Sequence, residues 1–229
     1  MKNKLKQNCI ESLKKSGDPI IIVSQIHESE AIAKACIDNN IKVTAFCDSK
    51  KSKTTKPFSG LEVIHTPTLP SRFPKARFII ASQHIDDCTD QLTALGYNEF
   101  YSVLDLLKNF KVENHEYRIS QPFMKARIAV CKKSHEYYFD ENKIYMRSLD
   151  FMITTKCSMK CKHCSNLMQY YTDAKNDEYT NILSSLDKLN ENVDFISEFR
   201  VIGGEPLMNK DWANIVNRIN EKNPDSKIF

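Results

Sequence analysis

The sequence is poor in glycine and has no long apolar run. Only five glycines occur among its 229 residues, and none builds a G-x-G-x-x-G turn of the kind that cradles a dinucleotide. No apolar stretch is long enough to span a membrane. The basic start, Met1-Lys2-Asn3-Lys4-Leu5-Lys6-Gln7, has no apolar segment before Gly17, so no signal peptide is read. A strong charge of one sign is missing too. The net charge of +4 does not argue for nucleic acid, and the densest basic run, Lys50-Lys51-Ser52-Lys53 with Lys56, reads as a solvated loop. Internal repeats and low-complexity tracts are absent. What remains, 41% hydrophobic and 27% charged residues, describes an ordinary globular protein of one large or two small domains, expected to be soluble and free of membrane and nucleic-acid partners.

Cysteine is better represented. Eight cysteines would suggest disulfides in a small secreted protein, but this chain is neither small nor visibly exported. Cys9, Cys36, Cys47, Cys88 and Cys131 are isolated and mostly flanked by apolar residues, which reads as small buried hydrophobes with inert thiols. Cys157, Cys161 and Cys164 stand apart in the run Cys-Ser-Met-Lys-Cys-Lys-His-Cys. A reducing, cytoplasmic location is expected for both groups.

The C-x3-C-x2-C spacing can hold three irons of a cubane cluster and leave the fourth iron without a protein ligand. The alternative is a structural zinc site. Zinc prefers four ligands in paired C-x2-C knuckles, and no second pair follows. His163 could complete three thiolates, but it lies between two of the ligands and would strain the loop.

The first part of the chain alternates strand and helix. Residues 19–24 form a short apolar run of the buried parallel-strand type. A helix is predicted over 30–40, then strands over 41–47, 61–65 and 77–81, a helix over 86–95 stopped by Gly96, and a last strand near 100–103. This pattern predicts a small Rossmann-like parallel-sheet domain over residues 1–110. The turn after its first strand, Ser24-Gln25-Ile26-His27-Glu28-Ser29, lacks the phosphate-binding glycines. Asp48 stands where a ribose-binding acid could stand and is equally a loop cap. A structural or docking role is expected for this domain. Residues 111–122 read as a linker, and alternation over 127–130 and 136–139 toward Asp140-Glu141-Asn142 predicts a β-hairpin leading into a second domain over 123–229.

In that second domain a strand over 149–155 runs directly into Cys157, which places the cysteines at the carboxyl end of a strand, where α/β folds hold ligands. Asn176 or Asp177 can cap a helix carrying Tyr179, Ile182, Leu183, Leu186 and Leu189 on one face. A second strand over 198–202 ends in Gly203-Gly204-Glu205-Pro206. Asp211 can cap a further helix with Trp212, Ile215, Val216 and Ile219 toward the core. By itself Gly-Gly-Glu-Pro could be an ordinary strand-to-helix turn.

Together, the three-cysteine motif after one strand and the Gly-Gly-Glu-Pro turn after the next resemble the radical S-adenosylmethionine superfamily over about residues 145–229. The family usually has an aromatic residue before the last cysteine, where this chain has the planar His163. The resemblance implies the first strand–helix units of a partial (β/α)6 barrel. It implies that Cys157, Cys161 and Cys164 ligate a [4Fe–4S] cluster whose open iron chelates S-adenosylmethionine. It further implies that Gly203, Gly204, Glu205, Pro206 and His163 adjoin that cofactor, with Glu205 accepting from its amino group and the glycines admitting close backbone approach. The implied reaction is reductive cleavage of S-adenosylmethionine to a 5′-deoxyadenosyl radical that abstracts hydrogen from a substrate. A flavodoxin- or ferredoxin-type electron donor is the implied partner. The resemblance names no substrate; a sugar or nucleotide-sugar, suggested by the first domain, competes with a peptide. Since the chain closes at Asp225-Ser226-Lys227-Ile228-Phe229, like the opening of a third strand, a truncated barrel is expected. An inactive fragment, or a binding module with a Rossmann-like domain, is the competing expectation.

Overall fold

The computed structural model describes residues 4–229. They divide into two compact units at the boundary between Phe139 and Asp140, and no helix among the described residues is long and apolar enough to cross a membrane.

In the first unit the chain runs through β1 (Leu5–Lys6), α1 (Cys9–Lys14), β2 (Ile20–Val23), α2 (His27–Asp38), β3 (Ala45–Asp48), β4 (Val63–His65), α3 (Leu69–Arg72), β5 (Arg77–Ile80), α4 (Ile85–Ala94), β6 (Phe100–Tyr101), α5 (Leu104–Leu107) and α6 (Gln121–Phe139). The strands form one parallel sheet in the order β1-β6-β5-β2-β3-β4. Ile20, Ile21, Ile22 and Val23 are all buried, as a central strand covered on both faces requires. Successive residues feed opposite cores. Ile20 and Ile22 meet Ile32, Cys36, Leu106 and Ile128 on one side, while Ile21 and Val23 meet Leu69, Phe78, Ile80 and Leu92 on the other. The Rossmann-like parallel sheet expected from the strand–helix alternation is therefore present.

The predicted β-hairpin is not. Residues 121–139 form α6 instead, with Met124, Ile128, Cys131 and His135 on its buried stripe. These positions recur at helical spacing, but Met, Cys and His give a faint hydrophobic signal, so Ile128 and Val130 alone mimicked alternation. Pro122 sits in the first turn, where its missing N–H costs nothing. Because Met124, Ile128 and Cys131 belong to the first unit's core, the division falls between Phe139 and Asp140 rather than across residues 111–122.

In the second unit, β7 (Tyr145–Thr154), α7 (Tyr179–Asn192), β8 (Phe195–Gly203), α8 (Trp212–Lys222) and β9 (Lys227–Ile228) follow one another. The strands are parallel, in the order β7-β8-β9. Ile153, Ile196 and Phe199 of the sheet pack against Ile182 and Leu186 of α7 and Ile215 and Ile219 of α8. Trp212, expected in the core, is 40% exposed, since it opens α8 one turn before the first buried position, Ile215. The expected side-chain caps are also absent. Glu178, not Asn176 or Asp177, precedes α7, and Asp211 precedes α8, neither with a capping side-chain hydrogen bond. Asn176 is engaged elsewhere.

Candidate metal centre

The long connection from β7 to α7 is a closed loop. It leaves the sheet after Thr154 and returns beside the same strand end, where Thr154 and Asn176 form an antiparallel bridge. Thr155 N–H donates to the Lys175 carbonyl at 2.9 Å, and Lys175 N–H to Thr155 Oγ1 at 2.9 Å. Thr154, fully buried, donates from Oγ1 to Asn176 Oδ1 at 2.6 Å and accepts the Lys156 N–H at 3.0 Å. Between these fixed ends lie Cys157, Cys161 and Cys164, at the carboxyl end of a parallel strand.

The Gly-Gly-Glu-Pro turn holds the start of this loop from the neighbouring strand. Gly204 N–H donates to the Thr154 carbonyl at 3.1 Å and Glu205 N–H to the Lys156 carbonyl at 2.8 Å. A Cβ on Gly203 would lie 2.2 Å from Thr154 O. On Gly204 it would lie 2.2 Å from Lys156 O and 2.8 Å from Cys157 Cβ. The glycines are required by this contact between the end of β8 and the root of the cysteine loop, a role that approach to a ligand alone had not suggested. Asn166 Nδ2 donates to the Gly203 carbonyl at 3.3 Å, which ties the far side of the loop to the same turn. Pro206 opens the short turn Pro206–Met208. The Glu205 side chain makes no hydrogen bond or ion pair among the described residues, so its carboxylate is available to a cation. His163 is exposed in the turn between Cys161 and Cys164.

Three further residues build the site and were not singled out for it in the sequence. Asn209, 1% exposed, donates from Nδ2 to the Ile153 carbonyl at 2.9 Å and accepts the Asp211 N–H at 3.0 Å. Asn176 Nδ2 donates to the Met208 carbonyl at 2.9 Å. With Thr154 they join the exit of the Gly-Gly-Glu-Pro turn to both ends of the cysteine loop. Their sequence signal was weak, because Thr and Asn before a helix read as caps.

The eight cysteines are free thiols of two chemical kinds. Burial pushes Cys9 and Cys47 up to about 12 and Cys88 up to about 11, and it raises Cys36 as well. The Cys164 thiol is shifted the other way, lowered chiefly by the backbone N–H of Met168 and further by those of Asn166 and Leu167. Amide dipoles aimed at a sulfur favour the thiolate, the form that ligates metal. Cys161 is exposed, and Cys157 and Cys164 are half-buried. Among the described residues no group of three or more His, Cys, Asp or Glu stands close enough to hold a metal ion, so the loop does not by itself gather its three thiols. Drawing ligands together is work that metal binding commonly does. The donor chemistry fits an iron–sulfur cluster: three free thiols with ligand spacing, one already biased to thiolate, on a loop fixed at both ends.

Fold and site thus define the second unit as a parallel α/β module with a thiol-bearing loop at its strand ends. A family model described as a 4Fe-4S single cluster domain matches residues 146–229, and the second unit carries an iron–sulfur domain of that kind. No curated protein matches the chain. Among solved structures, the methyltransferase FkbM from Methylobacillus flagellatus KT is similar at 10% identity and a TM-score of 0.36, over 96% of this chain and 64% of that one. This chain therefore spans less than two thirds of that protein's length, and a likeness of this degree carries nothing about function.

Proposed function

We propose that the second unit is the opening part of a radical S-adenosylmethionine domain. In this reading Cys157, Cys161 and Cys164 hold a [4Fe–4S] cluster, and the Gly203-Gly204-Glu205-Pro206 turn holds S-adenosylmethionine beside it. The chemistry supplied by the bound, reduced cluster is a one-electron cleavage of the cofactor's sulfonium, which leads to hydrogen abstraction from a substrate.

The observation that carries the reading is the pair of backbone hydrogen bonds from Gly204 and Glu205 to the root of the cysteine loop. They hold the Glu205 backbone against Lys156, the residue before Cys157, and its unpaired carboxylate would accept from an ammonium group with the strength of a charge-assisted bond. The Cys164 thiol, held toward its thiolate by three backbone N–H groups, is the ligand the chain readies most. Asn209 and Thr154 keep the two strand ends in register, so that loop and turn act as one rigid base.

The test is product analysis. Anaerobically reconstituted protein, reduced with dithionite in the presence of S-adenosylmethionine, is expected to give 5′-deoxyadenosine and methionine. Glu205→Ala is expected to lower the yield at least tenfold and Cys161→Ala to abolish it. A protein that keeps its cluster yet neither binds nor cleaves S-adenosylmethionine would contradict the proposal and leave an iron–sulfur domain of another use.

A further inference from the structure

We infer that the first unit binds a phosphate ester of a ribose-like sugar in a crevice at the carboxyl ends of β2, β3 and β5. From β2 the sheet grows through β3 and β4 on one side and, starting with β5, through β6 on the other. The carboxyl ends of β2 and β5 therefore flank the point where strand order reverses, the place at which doubly wound sheets hold ligands. A cavity of about 420 Å³ opens there. Its wall carries Ser24, Asp48, Thr66, Ser82 and His84, one or two polar residues from the end of each of four strands. A second cavity, of about 350 Å³, shares Ile26 and Lys53 with the first and adds His27, Phe58, Arg118 and Arg127.

The two chambers differ in chemistry. Asp48, 7% exposed, governs the first. Its Oδ2 accepts the Gln25 N–H at 2.8 Å and faces Lys53 Nζ at 3.5 Å, while among the described residues Oδ1 accepts only the Lys50 N–H at 2.9 Å. A carboxylate oxygen has two acceptor positions, so Oδ1 retains one for a sugar hydroxyl, alongside the hydroxyls of Ser24, Thr66 and Ser82.

The second chamber sets the cations Lys53, Arg118 and Arg127 beside apolar Ile26 and Phe58. Buried Glu28 and Glu30 each hold one guanidinium, at 3.0 Å from Arg127 Nη2 and 3.4 Å from Arg118 Nε. The remaining donors of each fork are not used by these pairs. Among the described residues, Arg127 Nε and His27 Nδ1 are buried without a hydrogen-bond partner, an unfavourable omission of the kind found at polar sites that adjust when a ligand binds. Lys53 Nζ reaches the Gln25 carbonyl at 3.1 Å, on the partition between the chambers.

The partition itself is strained. Ser24 has a φ of 76°, a conformation unfavourable for a residue with a Cβ. It is held there by its N–H to the Cys47 carbonyl at 2.8 Å and by Ser29 Oγ donating to its own carbonyl at 2.7 Å. Strain of this sort is concentrated at ligand clamps. Because Gln25 and Ile26 occupy the turn in place of glycines, its backbone offers no room for a dinucleotide's pyrophosphate. Side-chain cations must take the phosphate instead, and a nucleotide or a free sugar phosphate supplies the required chemistry equally.

The test is calorimetric titration of the full chain with ribose 5-phosphate, ADP, UDP and inorganic phosphate. Binding of at least one of the three sugar-containing ligands is expected, at least tenfold tighter than inorganic phosphate. Tight ribose 5-phosphate binding would assign a free sugar phosphate, and tight binding of ADP or UDP alone would assign a nucleotide. Lys53→Met, at a side chain 36% exposed and outside both cores, is expected to weaken binding at least fivefold in a protein that still melts cooperatively. Asp48→Asn should weaken the sugar-containing ligands and leave inorganic phosphate unaffected. No binding by any of the three, parity with inorganic phosphate, or binding indifferent to Lys53→Met in a folded protein would overturn the inference.

Discussion

At the scale of single residues, burial and backbone dipoles sort the cysteines by reactivity. Cys9, Cys36, Cys47 and Cys131 are buried, and the first three have thiols pushed well above their ordinary value by desolvation. Cys164 is pushed below it. Brief iodoacetamide treatment of the folded protein at pH 8 is therefore expected to label Cys161 and Cys164 at least tenfold faster than these four, as read by peptide mass spectrometry. Equal labelling would contradict the assignment of two thiol kinds. His135 behaves as a second residue-scale device. It is fully buried, with Nδ1 3.0 Å from Ser102 Oγ, and burial lowers it to about 4. An unfolded histidine titrates near 6.5, so between pH 6.5 and 4 the unfolded chain takes a proton that the folded chain refuses. This one group is then expected to remove about 3 kcal/mol of stability as pH drops from 7 to 4. Urea titrations across that range check it, and His135→Gln should flatten the dependence. The cysteine spacing could be read directly from sequence, since ligand spacing is local. The burial of His135 was not, because it depends on where α6 packs.

At the scale of elements, the end of β8 and the root of the cysteine loop work as one joint. Gly203 and Gly204 leave no space for a methyl group against Thr154 and Lys156. Gly204→Ala is therefore expected to destabilise the second unit by about 1–3 kcal/mol through overpacking against backbone. Asn209→Ala should cost about as much, because it leaves the Ile153 carbonyl only the longer bond from the Asp177 N–H, at 3.2 Å, and takes the acceptor from the Asp211 N–H. The single tryptophan, Trp212, reports on α8, so chemical denaturation followed by its fluorescence measures both. A variant as stable as the parent would show that the joint can relax. The parallel strands and both helices of this unit were legible in their apolar periodicity, and so was the place of the joint. Its purpose was not, since the contact links residues about fifty positions apart in the chain. The helix α6 was misread for a related reason: its buried stripe is made of Met124, Ile128, Cys131 and His135, whose mixed chemistry hides the helical period.

At the scale of the whole molecule, each unit has its own core. The boundary at Phe139 makes α6 part of the first unit. A chain ending at Phe139 is expected to fold and melt cooperatively by circular dichroism. One ending at Pro122 would uncover the faces of α2 and α5 against which α6 packs and remove Met124, Ile128 and Cys131 from the shared core, and is expected to be unfolded or aggregated. Equal stability of the two would refute the boundary.

The central claim is that residues 157–164 hold one iron–sulfur cluster through three thiols. Its most direct measurement is anaerobic reconstitution of the full chain with iron and sulfide, followed by metal analysis, absorbance and electron paramagnetic resonance after reduction. About four irons per chain, a broad charge-transfer band near 400 nm and a [4Fe–4S]+ signal are expected. All three should be lost in Cys157→Ala, Cys161→Ala and Cys164→Ala, and retained in Cys88→Ala. A cluster that survives any of the first three substitutions, or stoichiometric zinc in place of iron, would contradict the account.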